Sequence, residues 1–207
     1  MFELIASIPI ATYLAFWAAG IVLNLAPGAD VIFTTASGLR GGPRAGGLAG
    51  LGVGLGSLVH IALAAAGVSA LLAAYPAAFT VLRWAGAAYL AWLAVKAWRA
   101  EGGLAEGQGA QTPLSAMRRG FLTNVLNPKV ALFVLAFLPQ FADPALGPVW
   151  QQILLFGAIF SVTGTIITCG YGILAGALGR RITTKGRLLN RISSVMFGGL
   201  AVRLVLD

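Results

Sequence analysis

The sequence predicts an all-α integral membrane protein of six transmembrane helices, arranged as two inverted three-helix repeats. The first helix of each repeat is broken, at Pro27 and at Pro128. Three observations carry this reading. Of 207 residues, 58% are hydrophobic and only 10% charged, where a soluble domain carries about 25% charged residues. The apolar residues fall into runs near the ~20 that a helix needs to cross the hydrocarbon core. The two halves of the chain also repeat an order of motifs.

The first run extends from Ile8 to Leu25 and stays apolar to Leu39, longer than one straight span needs. No charge falls between Leu4 and Ala29; then "LNLAPGAD" places a proline, a glycine and an acid together. Glu3 and the lack of Lys or Arg before it argue against the basic start of a signal peptide, so this run reads as a retained span. Ala45 to Leu72 is the second span, and a turn at Tyr75 and Pro76 separates it from a third, Ala78 to Trp98. The stretch Arg99–Ala116 then turns Gly-rich and polar, and reads as a cytoplasmic linker between repeat 1 (residues 1–98) and repeat 2 (residues 117–207) of one membrane domain. Its part from Glu101 to Thr112 is expected to be solvated and dispensable. Met117 to Phe137, Val149 to Leu178 and Ile192 to Leu206 complete the six.

The net charge of +8 is not distributed as in a nucleic-acid binder. Arg40 and Arg44, then Lys96, Arg99, Arg118 and Arg119, then Arg180, Arg181, Lys185, Arg187 and Arg191 all fall on one side of the predicted membrane. The other side has Arg83 and Arg203. Basic residues gather on the cytoplasmic face, so both termini are expected outside. Gly42, Gly46, Gly50 and Gly54, and Gly172 with Gly176, recur every four residues. Small residues so spaced let helix backbones approach, within the chain or across a homodimer face.

The repeat is read from "NLAPGADVIF" (24–33) against "NVLNPKVALF" (124–133), each an Asn followed nine residues later by a Phe with a proline between. "WLAVKAW" (92–98) matches "GLAVRLV" (199–205). Three spans per half make the second half enter from the opposite side, the architecture of many secondary transporters. Proline disfavours helix in the residue before it and is well placed to open one. Broken backbone at membrane depth is tolerated only where it faces protein or a watery cavity, and a new half-helix presents free N–H groups there.

The candidate substrate site follows from these breaks: Pro27, Gly28 and Pro128 shape it, Asn24, Asn124 and Asn127 surround it, and Asp30 and Lys129 are the ionisable groups within spans. A buried charge in a span costs roughly 3 kcal/mol, so function is the default reading; a structural half-helix cap and an ion pair locking the two halves are the alternatives. Asp30 and His60 are the candidates for moving a proton; a packing role for His60 stands beside that. Ser161, Thr163, Thr165 and Thr168 are read mainly as hydroxyls bonded to their own helix. One cysteine, Cys169, excludes an internal disulfide or a CxxC pair, and one histidine leaves no metal cluster. No cofactor, resident metal or enzyme constellation is indicated.

"APGAD" (26–30), "GLGVGLGSLVH" (50–60), "GAAYLAWLAVKAWR" (86–99) and "FLTNVLNPKVALFVLAFLPQF" (121–141) together resemble the LysE/RhtB family of amino-acid exporters, over almost the whole chain. The family often has PGP where Pro27-Gly28-Ala29 stands here. The resemblance implies export of amino acids or their derivatives across the bacterial inner membrane, with protons as the exchanged partner. Lys129 and the half-helix starts suit a zwitterion's carboxylate, and Asp30 its ammonium group. Export of another small solute or a metal cation, and a non-transporting membrane protein, are the alternatives. Reporter fusions at Gly107 and Gly186 are expected to read cytoplasmic and one at Ala145 external; the opposite pattern would overturn the orientation.

Overall fold

A computed structural model describes residues 2–68, 78–99 and 109–179, and residues 191, 194–195, 197–199, 201–202 and 205 near the C-terminus. The turn at Tyr75 and Pro76, the linker between 100 and 108, the basic loop from Arg180 to Arg187 and most of the sixth span lie outside the described residues. Those described form helices and connections and no strand. A short α1 (Phe2–Ser7) precedes α2 (Ile10–Leu25), α3 (Ala29–Leu63), α4 (Ala78–Arg99), α5 (Pro113–Val125), α6 (Pro128–Leu132) and α7 (Val149–Leu178). α3 runs on as a π turn over Ala64–Val68, and α6 continues through a π turn, Phe133–Phe137, and a 3-10 turn, Leu138–Phe141.

Both expected breaks are present, and each follows from its proline. Before Pro27, Ala26 leaves the helix for an extended conformation (φ −62°, ψ 125°), as the residue preceding a proline does. Asn127 (φ −82°, ψ 106°) does the same before Pro128, which is the first residue of α6. The axis bends by 49° between α5 and the segment Pro128–Phe141. The prolines are not equivalent: Pro128 opens its helix, whereas Pro27 stands one residue before the Gly28 cap of α3.

Ala29–Gly67 is apolar and 39 residues long, but it does not run straight. Gly42 has φ 77° and ψ −178° inside it, followed by Pro43. Only glycine adopts that backbone readily. Gly38 and Gly46 both close on the carbonyl of Gly172, although eight residues of straight helix would separate them by about 12 Å. Asp30 and Ser57 line one cavity, although a straight helix would hold them about 40 Å apart. The chain therefore reverses at Gly42, where the sequence places its first basic loop, into antiparallel segments 29–41 and 43–63. The continuation 29–41 is the second half of the first broken helix.

Segment 43–63 is the centre of the bundle because it carries glycine on two faces. A Cβ at Gly46 would overlap the Gly172 backbone, one at Gly50 would crowd Cys169, and one at Gly54 would overlap the Thr165 hydroxyl. The partners descend as the glycines ascend, so this segment and α7 are antiparallel. On the other face Gly52 closes on Met117 and Gly56 on Phe121, in rising order, so α5 runs parallel to it. The glycine seam therefore lies within the chain, between its own helices, rather than on a face left for a second copy. Large apolar side chains cover the outside: Ile10, Leu14 and Trp17 on α2, Leu51, Leu55 and Leu58 on α3, and Val162, Ile166 and Ile173 on α7 are exposed, as lipid-facing residues are. An aromatic cluster ties α2, α6 and α7 together, with Phe16 4.8 Å from Phe156 and Phe133 5.0 Å from Phe160 between ring centroids.

One expectation needs correcting. Within the Gly-rich linker Gly109 and Ala110 are buried, while Gln111 and Thr112 are exposed as expected. Ala110 is 2% exposed, its N–H donates to Ser37 Oγ at 3.1 Å, and a Cβ at Gly109 would overlap the Ala36 carbonyl. With Phe33, Ala45, Ala49 and Ala116, Ala110 forms a second apolar cluster. Helix α5 also begins at Pro113, within the stretch read as linker. Gly109→Val is expected to lower stability by about 1–3 kcal/mol, the usual cost of overpacking a closed site. Thermal unfolding in detergent would read it; an unchanged midpoint would show that 109–110 is not seated.

Candidate functional site

The two breaks meet, and each supplies what the other lacks. Asp30 and Lys129 hold the same local position, two residues after the caps Gly28 and Asn127. Each reaches across to the opposite break. Lys129 Nζ donates to the carbonyls of Leu23 and Ala26, both at 2.9 Å. Leu23 lies in the last turn of α2 and Ala26 is the residue that ends it; carbonyls there have no partner within the helix, and the helix dipole favours a cation. Asp30 Oδ2 accepts from Asn124 Nδ2 and Asn127 Nδ2, both at 2.9 Å, while its place in the first turn of α3 favours an anion. Asn127 also caps its own helix, its Oδ1 accepting from the Lys129 backbone N–H at 3.0 Å.

Both charges are buried, Asp30 at 6% and Lys129 at 8% exposure. No ion pair of 4.0 Å or less joins them. Each is solvated by the polar groups of a break instead. That leaves Asp30 Oδ1 and Asn124 Oδ1 buried without a hydrogen-bond partner. It also leaves Lys129 one N–H beyond the two it gives to carbonyls.

These groups face a cavity of about 20 Å³, room for about one water molecule. Asn24, Asp30, Asn124 and Lys129 line it, with Val31, Val53, Gly54 and Ser57 from α3, Val130 from α6, and Phe160, Ser161, Gly164, Thr165 and Thr168 from α7. An amino acid fits only if the helices part.

Asn127, Pro27, Gly28, Pro128 and His60 surround this cavity without lining it. Asn127 holds Asp30 from behind. Pro27 and Pro128 shape the backbone. Gly28 leaves space for the lysine: a Cβ there would sit 3.1 Å from Lys129 Nζ. His60 is one step removed, its Nε2 3.0 Å from the backbone carbonyl of Asn124. Since a carbonyl only accepts, that nitrogen donates. Asn24 makes a long contact, Nδ2 to the Phe160 carbonyl at 3.4 Å. Thr165 and Thr168 bond carbonyls of their own helix, but Ser161 does not: it meets Ser57 and the Gly54 carbonyl on α3, and all three line the cavity. Thr163 bonds its own helix and is not among the lining residues. Ser57 was missed. The signal for it was its place three residues before His60, on the same helical face.

Residues 21–207 match the family model described as LysE type translocator. The chain is 34% identical over 196 residues to an uncharacterized membrane protein of Vibrio cholerae, covering 93% of this chain and 95% of that one. It is 35% identical over 192 residues to a homoserine/homoserine lactone efflux protein of Salmonella typhi, covering 91% of each. It is 32% identical over 209 residues to a leucine efflux protein of Klebsiella pneumoniae, covering 96% and 97%. No solved structure matches significantly.

Lys129→Met would leave the Leu23 and Ala26 carbonyls unpaired and Asp30 without a counter-charge. A loss of about 1–3 kcal/mol is expected, the cost of orphaned buried polar groups. The double variant Asp30→Asn with Lys129→Met should recover part of it, as read by thermal unfolding in detergent. A double variant no more stable than the single one would show that the two charges are not coupled.

Proposed function

The chain belongs to the LysE type translocator family, a family of transporters and not of enzymes, and from that premise we propose that it exports amino acids or amino-acid derivatives from the cytoplasm in exchange for protons. The observation that carries this reading is the unpartnered Oδ1 of Asp30, a residue that lines the same cavity as Lys129, whose ammonium group has one N–H beyond its two carbonyl bonds. A zwitterion fits both. Its ammonium group gives Asp30 the donor that it lacks, and its carboxylate takes the remaining Lys129 N–H. The site and the zwitterion are each neutral overall, so binding adds no net charge to the membrane interior. Homoserine and leucine, for which efflux relatives are named, differ in side chain and share this zwitterionic end; homoserine lactone, named with homoserine, keeps the ammonium group for Asp30 and offers Lys129 an ester oxygen in place of the carboxylate.

Protonation of Asp30 would remove the charge that holds the ammonium group, so a proton and the substrate compete for one oxygen. That competition is the basis of antiport. His60 touches this exchange through Asn124 and is the second candidate. One charge moved through 100 mV releases about 2.3 kcal/mol, which sustains a gradient of about 40-fold at 1.4 kcal/mol per tenfold.

Six spans in two inverted repeats, both termini outside and residence in the bacterial inner membrane complete the reading. The matching positions of Asp30 and Lys129 support the repeat. A homodimer would need a surface other than the glycine seam. Among the described residues no three His, Cys, Asp or Glu side chains gather, and Cys169 is engaged in the seam, its thiol donating to the Gly47 carbonyl at 3.2 Å. The metal-cation alternative thus has no ligand set there.

The test uses energised everted membrane vesicles and a panel of radiolabelled amino acids. At least one is expected to accumulate uphill, and a protonophore to abolish that accumulation. Asp30→Asn keeps the shape of the acid and an oxygen that can accept from Asn124 and Asn127, without its charge, so uphill transport should collapse at normal expression. Counterflow without a proton gradient then separates the roles: retained, Asp30 serves coupling; lost, it serves binding. Uphill transport by Asp30→Asn near the wild-type level would overturn both.

A further inference from the structure

One wall of the cavity has hydroxyls whose protons are all spoken for. Ser57 Oγ lies 2.7 Å from the Gly54 carbonyl and 2.7 Å from Ser161 Oγ, and Ser161 Oγ lies 3.4 Å from that same carbonyl. Two protons are shared in this triangle. If Ser57 donates to Gly54, Ser161 donates to Ser57. If Ser57 donates to Ser161, Ser161 donates to Gly54. The first arrangement uses the two 2.7 Å contacts and the second relies on the longer 3.4 Å one; in both, Ser161 Oγ keeps a free lone pair. The neighbours are alike: Thr165 Oγ1 donates to the Ser161 carbonyl at 2.7 Å and Thr168 Oγ1 to the Gly164 carbonyl at 2.8 Å. This wall offers acceptor lone pairs, while its hydroxyl protons already have protein oxygens to bond.

Ser161 is the best fixed of the four. It is 7% exposed, it is held from a second helix by Ser57, and it lines the cavity together with Asp30 and Lys129. Thr165, by contrast, stands in the glycine seam, where a Cβ at Gly54 would overlap its hydroxyl. With the ammonium and carboxylate groups taken by Asp30 and Lys129, the side chain is the part of an amino acid left to meet this wall. Accepting the amino-acid reading above, we infer that Ser161 is a specificity-determining residue, favouring substrates whose side chain carries a hydrogen-bond donor over aliphatic isosteres. An aliphatic side chain leaves the lone pair unmatched. That penalty is modest, because the serine's own proton remains satisfied, so a preference and not an absolute exclusion results.

Threonine and valine make the probe, since they differ by a hydroxyl in place of a methyl group. In everted vesicles the wild-type protein should prefer threonine in direct competition by about fivefold, the worth of one neutral hydrogen bond. Ser161→Ala should bring the ratio close to one. Ser161→Cys, similar in size with a weaker acceptor, should fall between, and decides the matter if the alanine variant does not reach the membrane. Equal transport of the two by wild type, or an unchanged ratio in both variants, overturns the role of Ser161 and leaves amino-acid export standing. Failure of the wild type to transport any amino acid of the panel sinks the amino-acid reading and this inference with it.

Discussion

A helix broken inside a membrane must find partners for the polar groups that the break exposes, and here side chains of each break reach the other. The last carbonyls of α2 take the ammonium group of Lys129. The carboxylate at the start of α3 takes the amides of Asn124 and Asn127. Hydrocarbon offers no alternative donor or acceptor, so neither break is complete alone. The arrangement has a sense as well as a geometry: the cation sits at a helix C-terminus and the anion at an N-terminus, as the dipoles require. The polar centre and the stability of the fold are therefore one set of contacts.

The packing around that centre is unusual in what it omits. Along Gly46, Gly50 and Gly54 the central helix meets α7 without intervening side chains, and along Gly52 and Gly56 it meets α5 in the same way. Close backbone approach is the source of attraction between helices in lipid, where there is no hydrophobic drive to hold them together. It also leaves few side chains interlocked across the seam. A cavity with room for about one water can grow to hold a solute only if such seams shift. The two π turns, Ala64–Val68 and Phe133–Phe137, lie just beyond His60 and Lys129, and π turns often accompany functional sites in helices.

A division of labour follows for the proposed transport. Asp30 and Lys129 answer to the charges that every zwitterionic amino acid carries. The hydroxyl wall of Ser57, Ser161, Thr165 and Thr168 answers to whatever distinguishes one cargo from another. The first set comes from the two breaks. The second belongs chiefly to the unbroken helix α7.

Local chemistry alone determined the membrane character, both helix breaks, the reversal between Arg40 and Arg44, and the placement of Asp30 and Lys129 in the first turn of a half-helix. These depend on proline, glycine and charge acting on their immediate neighbours. The one-residue mismatch between Pro27 and Pro128 was legible too, but its meaning was not: the prolines differ in position while Asp30 and Lys129 coincide. Only the tertiary structure decided which carbonyls Lys129 meets, 103 and 106 residues away, and that Asp30 is bonded to two asparagines rather than to the lysine. It also decided which glycines face which helix. The pair Gly109 and Ala110 shows why. Glycine-rich, polar composition is the same whether a chain is solvated or threaded against a neighbouring backbone, because what selects between them is the space left by Ala36 and Ser37. Ser57 was hidden for a related reason: a hydroxyl becomes a site residue only when a second one, 104 residues distant, takes its proton or gives one back.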